Sequence, residues 1–112
     1  MENTEIDSTY EFESDLSKLN ETDRYSVITA LNNCITEGDY SNLKRCNLFD
    51  SQLKNYDSSL YTLSSNKYKI IISIDSDPIF NRTLFTLYRI VKQGELDSAY
   101  KELKEKLYNT FS

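Results

Sequence analysis

Between Leu60 and Asp75 apolar residues recur at every second position. Tyr68, Ile70, Ile72 and Ile74 fall on one face of a strand, and Lys67, Lys69 and Ser73 fall mostly on the other. The shorter Leu60-Tyr-Thr-Leu run precedes it, and the polar Ser65-Asn66 break between the two predicts a β-hairpin over 59–74. Asp75-Ser-Asp-Pro78 predicts a turn, because Pro78 keeps Asp77 out of helical angles. From Ile79 to Val91 apolar residues occupy both parities, the pattern of a central strand covered on both sides for part of its length.

Elsewhere the period changes to that of a helix. Phe12, Leu16 and Leu19 stand at i, i+4 and i+7, which predicts a short helix from Ser8 or Thr9. Asn20 is suited to N-cap a second helix, with acids in its first turn, a stripe of Val27, Ile28, Leu31 and Ile35, and Gly38 as a left-handed C-terminal cap. Residues 39–58, with Leu43, Leu48, Phe49 and Leu53, keep no period and predict a loop holding a short strand or a turn of helix. The last segment places Leu96, Ala99, Tyr100, Leu103, Leu107 and Phe111 on one helical stripe. Its acids come early and its lysines late, and Asp97/Lys101 and Glu102/Lys106 add i, i+4 pairs worth about 0.3 kcal/mol each.

The predicted fold class is therefore α+β: an antiparallel β-sheet with two N-terminal helices and one C-terminal helix, gathered mainly on one face. The chain of 112 residues is expected to divide into a flexible or weakly extended acidic N-terminus over 1–9 and a single α+β domain over 10–112. Hydrophobic residues make up only 38%, and nine tyrosines carry much of the apolar load, so half-buried rings with wet hydroxyls are expected.

Charge sharpens this picture. Residues 1–23 carry eight acids against one base, a net of −7, whereas 40–92 carry eight bases against four acids, a net of +4. An acidic chain is not built to bind nucleic acid with its whole surface, but a local basic face remains open. The acidic end is either a solvated terminus or a segment that covers the basic body or docks on a basic partner. Two cysteines, Cys34 and Cys46, are too few for a disulfide scaffold, and Cys34 reads as a small core residue. With no histidine and no Cys-x-x-Cys pair, no metal site and no cofactor are expected. There is no membrane-length apolar run and no secretory leader, so a cytoplasmic protein is expected.

An ordered set of segments resembles the RelE/ParE/HigB superfamily of bacterial and phage-borne toxins of type II toxin–antitoxin systems. The set comprises the Glu37-Gly-Asp-Tyr40 turn after the helix pair, Leu43-Lys44 and Leu53-Lys54, and the Leu60-Tyr-Thr-Leu-Ser64 strand. It continues with the Tyr68-Lys-Ile-Ile-Ile-Ser-Ile-Asp75 strand, the Phe85–Lys92 strand end and the Glu95-Leu-Asp-Ser-Ala99 helix start. It covers roughly 10–110. The resemblance implies a RelE-like fold and, in many members, metal-independent, ribosome-dependent cleavage of mRNA, with a cognate antitoxin and the ribosome as partners. In such chemistry a base takes the ribose 2′-hydroxyl proton, cations stabilise the transition state and an acid protonates the 5′-oxygen. ParE-type members act on DNA gyrase instead.

The chain departs from the family pattern in four respects. Ser64 stands where the family has a strand-end arginine, Tyr68-Lys69 replaces Tyr-Arg and loses the bidentate fork, histidine is absent, and the paired lysines often seen near the last strand are reduced to Arg89 and Lys92. The resemblance makes Lys69, Arg82, Tyr88, Arg89 and Lys92 the candidates for catalysis, and Lys44, Arg45, Lys67 and Tyr68 those for RNA binding. Four have a plain structural alternative: solvated strand lysines for Lys67 and Lys69, a turn ion pair with Asp75 or Asp77 for Arg82, a packed ring for Tyr88. Two further readings stay open. One is a non-catalytic binding protein on the same scaffold, either an acidic immunity or inhibitor protein masking a basic nuclease or a gyrase-directed toxin. The other is an unrelated interaction module.

Overall fold

The computed structural model describes residues 3–45 and 59–111, with side chains through Lys106 in the last helix. Leu48, Phe49 and the Leu53-Lys54 match lie outside the described residues, as do the side chains of Leu107 and Phe111. The elements run β1 (Asn3–Ser8), α1 (Tyr10–Ser17), α2 (Glu21–Ile35), β2 (Leu43–Arg45), β3 (Ser59–Ser65), β4 (Tyr68–Asp77), β5 (Arg82–Lys92), a 3₁₀ turn (Gln93–Glu95) and α3 (Leu96–Phe111). The strands form one sheet in the order β1-β5-β4-β3-β2.

Two features correct the sequence-based picture. The sheet is mixed rather than antiparallel: β1 pairs parallel to β5, with Asn3 opposite Arg82 and Ser8 opposite Leu87, while the other three pairings are antiparallel. The segment expected to be flexible or weakly extended is thus an edge strand. It carries only Ile6 as an apolar residue, so its hydrophobic signal is nearly nil. What holds it is the backbone of β5, whose N–H and C=O groups would otherwise be an open edge. The helices also divide between the faces: α1 and α2 cover one side of the sheet and α3 covers the other.

The first core gathers Phe12, Val27, Cys34, Leu63, Ile70, Ile72, Phe85, Leu87 and Ile90, and the second Leu60, Ile71, Val91, Ala99, Tyr100 and Leu103. A β-bulge explains the mixed parity of β5. The register passes from Ile71 opposite Arg89 to Ile72 opposite Leu87, leaving Tyr88 as the extra residue. Phe85, Leu87 and Ile90 consequently share the α1/α2 face despite their uneven spacing, while Tyr88 and Val91 meet α3. In β4 the consecutive residues Ile70, Ile71 and Ile72 are wholly buried, because both faces of the middle strand are covered.

Local chemistry sets the element ends. Asn20 caps α2 through Asp23 N–H at 2.8 Å, as its position implies. Thr9 caps α1 through Phe12 N–H at 3.0 Å. No base lies in the last turn of α1, but Arg24 of α2 reaches back to donate to the carbonyls of Leu16 and Leu19 at 3.3 and 3.0 Å. Gly38 has φ of 71°, the left-handed conformation expected of it, and Asp39 N–H closes on Asn33 O at 3.0 Å. Asn66 in the β3–β4 turn and Asn81 in the β4–β5 turn have φ of 56° and 53°. The β4 strand continues through Asp77, so the turn expected at 75–78 lies later, and Ile79 and Phe80 project from it, exposed, instead of opening a strand.

Ser73 sits in the buried middle of β4, and its hydroxyl has no hydrogen-bond partner among the described residues. Ser73→Ala removes a desolvated polar group with almost no change in volume, so a gain of about 1 kcal/mol in unfolding free energy is expected. Urea denaturation measures it; a loss of similar size would show that the hydroxyl is bonded.

Candidate functional site

The predicted site residues separate into two groups. Lys44, Arg45 and Lys69 converge on a cleft of about 340 Å³, bounded by the ends of β2, β3 and β4 and by the start of α3. Thr62, Ser64, Gln93, Leu96, Asp97 and Tyr100 complete its walls. Lys69 and Ser64 are directly opposite across the β3–β4 ladder, and the Lys69 Nζ donates to Ser64 Oγ at 2.8 Å. A cation thus stands beside Ser64, supplied by the facing strand. The Thr62 and Tyr100 hydroxyls hydrogen-bond to one another, joining the floor of the cleft to α3. Among the described residues the lining holds three basic side chains and one carboxylate, in an acidic chain.

The remaining candidates lie elsewhere, and the side chains of all but Lys92 are engaged in holding the fold. Lys67 and Tyr68 turn to the opposite face, where Asp23, 7% exposed, accepts from Tyr68 Oη at 3.1 Å and pairs with Lys67 at 3.3 Å. Partial burial and the Asp23 carboxylate push the Tyr68 phenol above its usual range, so it stays neutral. Arg82, at the far end of the sheet, pairs with Glu5 at 3.5 Å. Tyr88 packs against the second core. Arg89 donates through Nε to Asp15 at 2.7 Å and approaches Glu102 at 3.5 Å. The Asp15 hydrogen bond holds its guanidinium still more firmly in the charged form. Lys92 ends β5, exposed, and its N–H donates to Glu95 at 3.1 Å.

Four of the eight acids in residues 1–23 pair with bases elsewhere in the chain. Glu5, Glu11, Asp15 and Asp23 pair with Arg82, Lys106, Arg89 and Lys67 respectively. The Lys106 hydrogen bond, 2.7 Å long, draws the Glu11 carboxyl below its ordinary range. Lys106 and Glu102, expected as an i, i+4 pair along α3, both reach off the helix, to α1 and to β5.

Sequence reasoning missed Thr62, Gln93, Asp97 and Tyr100. Tyr100 lies on the apolar stripe of α3 and reads as core, which its ring is; only its hydroxyl, at the rim of a hydrophobic surface, carries a polar signal. Among the described residues no helix is long and apolar enough to cross a membrane.

The fold has known counterparts. A chain of the archaeal RelE–RelB complex from Pyrococcus horikoshii OT3 superposes with a TM-score of 0.60 at 10% identity, covering 82% of this chain and 97% of that one. A chain of the RelB–RelE antitoxin–toxin complex from Methanococcus jannaschii gives 0.52 at 12% identity, covering 82% and 95%. No protein-family model matches the sequence, and no curated protein does. At this identity the likeness is one of fold: the chain has a RelE-like α+β architecture, with a five-stranded mixed sheet and three α-helices among the described residues.

The Asp15–Arg89 pair tests the structural reading of Arg89. Asp15 is 15% exposed and also accepts Ile90 N–H at 3.0 Å, so Asp15→Ala strands two donors. A loss of about 2 kcal/mol in urea unfolding is expected. Asp15→Asn keeps an acceptor and is expected to cost about half as much; equal stability of all three proteins would remove Arg89 from the scaffold.

Proposed function

We propose that this chain is the toxin-type member of a toxin–antitoxin pair and that its cationic cleft binds and cuts single-stranded RNA, as on a translated mRNA. The observation that supports this most is the convergence of Lys44 and Arg45 of β2 and Lys69 of β4 with hydroxyl groups and a carboxylate in a single cleft. Lys44 and Arg45 would hold the phosphates flanking the scissile bond. Lys69, oriented by Ser64, would stabilise the crowded, doubly charged phosphorus centre. Asp97 is the carboxylate available to take the ribose 2′-hydroxyl proton. The 2′-oxygen forms its bond to phosphorus as the bond to the 5′-oxygen breaks, and a lysine ammonium returns a proton to the leaving oxygen. Arg82, Tyr88, Arg89 and Lys92 have no part in this scheme. A cognate antitoxin is the expected protein partner.

A second reading is binding without cleavage on the same scaffold, such as a gyrase-directed toxin. The absence of histidine and the double engagement of Arg89 favour it. The version in which residues 1–23 mask a basic nuclease loses ground, because four of those acids already pair within the chain.

Induced expression without an antitoxin is expected to arrest growth and to produce new 5′ ends in translated mRNA, mapped by primer extension. Lys69→Ala should reduce cleavage at least about tenfold, whereas Arg82→Ala, at the other end of the sheet, should leave it intact. In fluorescence anisotropy with a single-stranded RNA, Lys69→Ala should flatten the log–log salt dependence of binding by about 0.7, one phosphate contact. Normal growth with soluble protein and no RNA affinity would refute the proposal; affinity without cleavage would select the second reading.

A further inference from the structure

Residues 25–36 include no charged side chain, although 28% of the chain is charged. They form about three turns of α2 together with its C-terminal cap. Val27 and Cys34 are buried in the first core. Tyr25, Thr29, Asn32 and Thr36 follow one another at helical spacing on the opposite side, with Ile28 and Asn33 beside them, and all six are exposed. Tyr25 is 74% and Ile28 49% exposed. Arg24, the base that precedes this run, donates to the carbonyls of Leu16 and Leu19 next to α2 and does not charge the outward side.

A helix that meets only water is built differently, and α3 supplies the contrast within the same chain. Its exposed positions hold Asp97, Lys101, Glu102, Glu105 and Lys106, which are charged and, apart from Asp97, good helix formers. On α2 the exposed positions hold Thr, Asn, Ile and Tyr, which favour a helix less. Depletion of charge around an exposed aromatic and an exposed aliphatic side chain is the composition of a protein–protein contact.

The chemistry of this face selects its partner. A charged patch requires a patch of the opposite sign. Here the polar groups are hydroxyls and amides, each both donor and acceptor, so the face is complementary to itself. Two chains of net charge −5 repel, and this face lets them meet without placing like charges together along these turns. A two-fold axis sets the same residues against one another in both directions.

We propose that two copies of this chain associate through the outward faces of α2, related by a two-fold axis, with Tyr25 and Ile28 as the apolar anchors. One face of one helix is smaller than the roughly 800 Å² per partner of a standard interface, so the association is weak, with a Kd of about 10–100 μM. The cationic cleft lies on the other side of the sheet, against α3, so this contact does not depend on the function proposed for it.

Sedimentation equilibrium of the full chain between about 5 and 500 μM tests this. A reversible monomer–dimer equilibrium is expected, and ¹⁵N spectra should show concentration-dependent shifts centred on residues 25–36. Raising the salt from about 0.05 to 0.5 M should tighten the dimer at least about twofold, because it screens the repulsion of two acidic chains and there is no ion pair in the contact to weaken. Tyr25→Glu and, separately, Ile28→Glu bring like charges together across the axis and should each weaken the dimer at least about tenfold. Both positions are exposed, and urea midpoints check that the fold is kept. Ile79→Glu, at an exposed apolar residue of the β4–β5 turn, should leave the dimer unchanged. A monomer throughout the range, a dimer indifferent to the α2 variants or equally weakened by Ile79→Glu, or a dimer that salt loosens would overturn the proposal.

Discussion

The structure depends on how the outer edge of β5 is satisfied. From Arg82 to Leu87 that edge is occupied by β1. Beyond Leu87 no strand continues, and side chains take over. Thr9 N–H donates to Leu87 O and the Thr9 hydroxyl to Tyr88 O, while Asp15 accepts Ile90 N–H. Strand, cap and helix thus pass one edge between them in sequence order. This fixes α1 against the sheet, and α1 in turn holds α2 through Arg24. The bulge at Tyr88 falls where the edge changes hands, as is common where a strand loses its partner.

The same region resolves the charge asymmetry. A chain with a net of −7 in its first 23 residues places four of those acids against bases of β5, α3 and the hairpin turn. Pairs as exposed as Glu5–Arg82 contribute little to stability singly. Their common effect is to set a carboxylate against four of the cations that lie outside the cleft of Lys44, Arg45 and Lys69.

What could be read beforehand follows from which forces leave a trace in sequence. The β3–β4 hairpin, the caps at Asn20 and Gly38 and the start of α3 were legible because period and cap chemistry are local. The strand β1 was not, because its reason for existing is the edge of β5, some eighty residues away. The direction of α3, onto the opposite face from α1 and α2, was likewise hidden: an apolar stripe states that a face is buried, not against which side. Of the nine candidate site residues, Lys44, Arg45 and Lys69 meet in the cleft because β2, β3 and β4 are neighbours. Arg82 and Arg89 resembled them in type, but sequence could not show that Glu5 and Asp15 stand beside them.

The Lys69–Ser64 contact bears on how such a protein is compared with others. Ser64 and Lys69 stand opposite one another in the β3–β4 ladder, so a hydroxyl on one strand orients an ammonium from the other. A comparison of sequences aligns residues and not places, so a pairing made across strands leaves no trace in it, and here the architecture is matched at 10% identity without a matching family model.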